Sequence, residues 1–74
     1  MGTIYQDIQY VTIVDEVSSN LIYVGYSFPG TSESDPVWTI IKIETIGTIT
    51  KKSCPNGSLE SDFSWSLRTS YTYF

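Results

Sequence analysis

Strong helix formers are nearly missing from this chain: across 74 residues Ala does not occur, and Leu stands only at Leu21, Leu59 and Leu67. The apolar places are held by Ile, Val, Tyr, Phe and Trp, with Ser and Thr between them. Such side chains fit a pleated surface and lose rotamer freedom in a helix. An all-β chain is expected, and the length allows one domain, residues 1–74. A domain this short hides only about 60% of the surface its unfolded form exposes, so a staple or a partner usually supports it. The residue inventory excludes the staples. Cys54 is the one cysteine and His is absent, which removes both an intrachain disulfide and a zinc site built from Cys and His. Self-association is what remains.

The same inventory argues against catalysis, because a Ser or Cys nucleophile needs a base that titrates near neutral pH, commonly His. No enzyme and no cofactor are expected. Eight acidic residues against Lys42, Lys51, Lys52 and Arg68 give a formal net charge of -4, which speaks against binding a phosphate backbone. The apolar run around Ile40 and Ile41 ends at Lys42, far short of the roughly 20 residues of a membrane helix. Met1 to Gln6 show no basic segment leading into an apolar stretch, and Gln6 stands where a myristoylation signal has Ser or Thr. Synthesis and assembly in the cytoplasm, without a membrane, is the expectation, and Asn56-Gly57-Ser58 reads as a turn, not a glycosylation site.

Alternation locates the strands. Over residues 3–17, Ile4, Ile8, Tyr10 and Val14 share one parity and Tyr5, Val11, Ile13 and Val17 the other, as in a strand covered on both sides. Ser18-Ser19-Asn20 supplies a turn, and 21–26 a second strand in which Gly25 marks a bulge or a close approach. Residues 29–36, bounded by Pro29 and Pro36, read as a surface loop. The clearest strand is 37–46, with Val37, Thr39, Ile41 and Ile43 on one side and Trp38, Ile40, Lys42, Glu44 and Ile46 on the other. Gly47 breaks it, and 48–51 pairs back through a tight connection. Cys54-Pro55-Asn56-Gly57 closes a turn whose Asn-Gly pair favours positive φ. After an irregular stretch, 67–74 reads as a last, docked strand. The sum is a small antiparallel sandwich or open barrel of five or six short strands.

Trp38, Ile40, Ile43 and Trp65 are the expected core, since burying one large aromatic contributes about 2 to 3 kcal/mol. Arg68, three residues after Trp65, is expected to stack on that ring or pair with Asp62 as a structural clamp. Glu33, Asp35 and Asp62 lack the spacing of a calcium loop or a catalytic pair and read as solvated charges, and no metal is expected. Tyr5, Tyr10, Tyr23, Tyr26, Tyr71 and Tyr73 are the candidate interface residues, because Tyr offers a broad apolar face with a polar tip. Residues 1–17 read as an N-terminal arm that adds to a neighbour's sheet edge. Cys54 reads as a reduced thiol without a role.

Tyr23-Val24-Gly25, then Pro29-Gly30-Thr31, then Trp38, Ile40, Lys42 and Ile43 occur together in a pattern that resembles the small structural proteins of tailed-bacteriophage particles. The second half follows the pattern at Gly57, Asp62, Trp65, Arg68, Ser70, Thr72 and Tyr73. It departs where Cys54, Pro55 and Asn56 replace Trp-Ala-Asp and where Ser61 replaces Phe, and the likeness spans residues 21–74. The resemblance implies a many-copy, non-enzymatic component of the virion, tail-, neck- or capsid-associated and assembled in the host cytoplasm, whose partners are itself and other virion proteins. The alternative is a small carbohydrate- or receptor-binding module displayed on the particle, in which the 29–36 loop and an exposed Trp meet a glycan.

Overall fold

The computed structural model describes residues 11–74. Four strands, β1 (Val11–Ser18), β2 (Leu21–Ser27), β3 (Thr39–Ile46) and β4 (Ile49–Ser53), form one antiparallel sheet in the order β1-β2-β3-β4. The all-β expectation holds, with four strands among the described residues instead of five or six. The difference lies at residues 67–74, where the expected last strand is replaced. Trp65–Ser70 forms a 3₁₀ helix, and the segment after it makes only an isolated bridge between Pro55 and Tyr73. Ser and Thr side chains offer the backbone local partners that compete with a ladder. Here the Ser70 hydroxyl donates to the Leu67 carbonyl at 2.6 Å, and Leu67 N–H donates to the Ser64 carbonyl at 3.1 Å. The layer facing the sheet is therefore an irregular C-terminal segment.

The turns fall where their chemistry placed them. Ser19-Asn20 joins β1 to β2, with Asn20 N–H donating to the Ser18 hydroxyl, and a register shift between Glu16 and Ser18 leaves Val17 as the extra residue of a bulge. Gly47-Thr48 joins β3 to β4. Asn56 and Gly57 both take positive φ, 54° and 71°, and the turn is closed by Ser58 N–H donating to the Pro55 carbonyl at 2.9 Å. The backbone of Phe74 exchanges two 3.0 Å hydrogen bonds with Cys54, so the segment end is docked as expected.

The pleat divides the sheet into two faces. Ile13, Tyr23, Gly25, Ser27, Ile40 and the flanking Trp38 share the inner face, which meets Phe63 and Trp65 of the C-terminal segment. Ile40, Trp38 and Trp65 are 0%, 1% and 2% exposed, as the sequence predicts for three of the four core residues. Ile43 is the exception and is a correction. It stands three residues from Ile40, an odd spacing that puts it on the opposite, outer face of the strand, where it is half-buried. Gly25 proves to be a close approach: it sits between Ile13 and Ile40 in the ladder, under the Trp65 ring.

β1 also departs from expectation. Its described residues form an edge strand of this chain's own sheet, with Val11, Val14 and Val17 exposed, where coverage on both sides was expected. Residues 11–17 of the expected arm are thus engaged with β2, and the remainder of the arm, 1–10, lies outside the described residues.

Candidate interaction surface

Arg68 stacks as the sequence suggests, with its guanidinium carbon 4.6 Å from the centroid of Trp65. The clamp partner is a correction: it is Asp15, not Asp62. Arg68 Nε and Nη2 both donate to Asp15 Oδ2, at 3.2 and 2.9 Å, and Nη1 donates to the Trp65 carbonyl at 3.1 Å. Asp15 lies on the inner face of β1 opposite Tyr23, where the 3₁₀ helix crosses, whereas Asp62 is exposed on the segment before it. The guanidinium is occupied by fold contacts and ties the C-terminal layer to the edge strand.

Three candidate interface tyrosines are likewise used inside the fold. Tyr23 is buried with its ring 5.7 Å from that of Tyr73, and Tyr71 meets Phe63 edge-on at 5.1 Å. The Tyr71 hydroxyl accepts from Ser64 N–H at 2.9 Å, and the Tyr73 hydroxyl donates to the Arg68 carbonyl at 2.6 Å. Burial, reinforced by Tyr23 and Tyr71, pushes the Tyr73 phenol well above its ordinary range, which keeps it a neutral donor. The interface reading of Tyr23 is corrected to packing, because its side chain is buried, while Tyr71 and Tyr73 pack against the core and stay partly exposed. Tyr26 is the described tyrosine at the outer surface, and Tyr5 and Tyr10 lie outside the described residues.

An exposed Trp for a glycan is also corrected, since both indoles are buried. The 29–36 loop straps them in. Trp38 Nε1 donates to the Ser32 carbonyl at 2.9 Å, the Ser64 hydroxyl to the Ser34 carbonyl at 2.9 Å, and Ser66 N–H to the Glu33 carbonyl at 3.0 Å. Among the described residues every buried side-chain polar atom has a partner, no cluster of His, Cys, Asp and Glu suits a metal, and no helix is long and apolar enough to cross a membrane.

The outer face of the sheet is left as the candidate surface. Register aligns Val14, Val24 and Ile41 in one row across β1, β2 and β3. The next row is Glu16, Ile22, Ile43 and Lys52 across all four strands. Hydroxyl-bearing residues flank these rows: Thr12, Tyr26 and Thr39 at one end, and Thr45 with Thr50, whose hydroxyls are 2.9 Å apart, at the other. Beside Tyr26 and Thr39 an open cleft of about 340 Å³ is completed by Leu59 and Ser61, with Leu59 65% exposed and the Thr39 and Ser61 hydroxyls 2.8 Å apart. An apolar centre inside a hydroxyl rim has the make-up of a protein contact patch. Sequence alternation placed Ile41 and Ile43 together on one side of their strand; what it lacked was the register that adds Val14, Ile22 and Val24, because β2 and β3 are joined through the long 28–38 connection and no short hairpin fixes their alignment.

No protein-family model, no curated protein and no solved structure matches this chain.

Proposed function

We propose that this protein is a non-enzymatic, many-copy structural component of a tailed-phage particle, tail-, neck- or capsid-associated, working by assembly through the outer face of its sheet. The observation that carries the reading is that face: Val14, Ile22, Val24, Ile41, Ile43 and Tyr26 form one patch, while the Trp side chains and the lone Arg serve the fold. A domain this small gains stability when such a patch is covered by another subunit. The spaced likeness to phage particle proteins over residues 21–74 supplies the setting, and the absence of His from the chain supports a role without catalysis. Its partners are further copies of itself and other virion proteins; nucleic acid and membrane are not among them.

Quantitative mass spectrometry of density-purified particles whose genome encodes the chain tests this reading. The expected result is a fixed stoichiometry of many copies per particle. Particles that lack the chain while the infected cell contains it would contradict the proposal.

A further inference from the structure

We infer that the outer face pairs with the same face of a second copy about a two-fold axis that lies parallel to the strands, between β2 and β3, so that Glu16 of each copy meets Lys52 of the other. This rests on the assembly reading above and names its partner. The warrant is the row Glu16–Ile22–Ile43–Lys52, which runs acid, apolar, apolar, base across the four strands. Among the strand residues of the outer face, Glu16 and Lys52 are the charged ones, and they stand on opposite edge strands.

A rotation of 180° about an axis along the strands reverses the strand order and keeps the row level. β1 then lies over the partner's β4, and β2 over the partner's β3. Ile22 meets Ile43 in the centre of the interface, and both ends of the row carry opposite charges. The other in-plane two-fold axis, running across the strands at this row, sets Glu16 on Glu16 and Lys52 on Lys52. Charge thus selects one orientation and opposes the other. The packing is that of an aligned sandwich, with sheets about 10 Å apart and strand directions within about 30°. The Val14–Val24–Ile41 row extends the apolar centre, and the threonine and tyrosine hydroxyls form its rim.

The size of the patch sets the strength. Four strands about 4.8 Å apart and about seven residues at about 3.3 Å each give a projected face of about 440 Å². A stable specific interface takes about 800 Å² from each partner. The pair is therefore weak and concentration-dependent, with dissociation in the micromolar range or above, as suits a subunit that is further held by its neighbours in a larger assembly.

The test uses sedimentation equilibrium of the full chain at low salt. The wild type is expected to move from monomer to dimer as concentration rises. E16K places Lys opposite Lys and K52E places Glu opposite Glu, so each alone weakens dimerisation on the order of tenfold or more. An equimolar mixture of E16K and K52E restores the dimer, because both contacts between unlike variants are then acid to base. That rescue also establishes that the variants fold. A wild type that stays monomeric at every concentration overturns the pairing. Single variants that dimerise like wild type, or a mixture that does not recover, overturn it as well. In any of these cases the chain's presence in purified particles still decides the assembly reading separately.

Discussion

Trp65 lies flat enough on the backbone of Gly25 that a methyl group there would sit 2.5 Å from the indole carbon Cε3 and 2.7 Å from Cζ3. The central strand β2 thus presents bare backbone where the C-terminal layer lands its largest side chain. Gly25 pairs with Ile13 on one side and Ile40 on the other, so the indole sits in a slot walled by the two neighbouring strands. Trp38 closes that slot, its ring centroid 6.2 Å from that of Trp65.

Gly25→Ala is expected to destabilise the domain by about 1 to 3 kcal/mol, the usual cost of an extra carbon in a filled site. Because the obstructing atoms belong to a rigid ring, the upper part of that range applies. The urea midpoint, followed by tryptophan fluorescence, should fall; an unchanged midpoint would mean that Trp65 does not rest on Gly25.

Asp15→Asn weakens the clamp on Arg68 and should cost about 1 kcal/mol, the scale of one partly screened charged hydrogen bond. Asp62→Asn, at an exposed position outside the clamp, should change the thermal midpoint by less than about 0.5 kcal/mol equivalent. Equal effects from the two variants, or a larger one at Asp62, would contradict the Arg68–Asp15 pairing.

The buried phenol of Tyr73 predicts an alkaline limit to stability. Its pKa is raised in the folded chain, so the folded state resists losing a proton that the unfolded chain releases near pH 10. The contribution is complete below that pH and is lost as the pH climbs from about 10 toward the folded value. Thermal melts from pH 8 upward should show stability falling above about pH 10. Tyr73→Phe should be less stable at pH 8, through loss of the bond to the Arg68 carbonyl, yet fall less steeply above pH 10. Parallel pH profiles for the two proteins would sink this assignment.

Much of the sheet was legible because its determinants are local. The Ser19-Asn20 turn, the break at Gly47 and the Asn56-Gly57 turn are short-range signals and lie where expected, whereas the third strand begins at Thr39 instead of residue 37 and Thr48, expected in the returning strand, belongs to the turn before Ile49. Ile43 was misassigned although its parity already opposed that of Ile40. The C-terminal strand was misread because Tyr71 and Tyr73 alternate like strand residues, while their rings and hydroxyls serve contacts with Phe63, Ser64, Tyr23 and Arg68. The partner of Arg68 was out of reach, since Asp15 is 53 residues away and only the closure of the C-terminal layer over β1 brings them together. Of the candidate surface, the sequence points to Tyr26, whereas the patch around it depends on inter-strand register.

Association through the outer face is tested most directly by sedimentation equilibrium of the full chain beside Val24→Thr and Ile41→Thr combined in one variant. Threonine keeps the β-branched shape that strands favour and places hydroxyls in the apolar centre. The wild type should self-associate with rising concentration, and the variant should remain monomeric with an unchanged circular dichroism spectrum. Association of equal strength in both proteins, or monomers in both, would contradict the role assigned to this face.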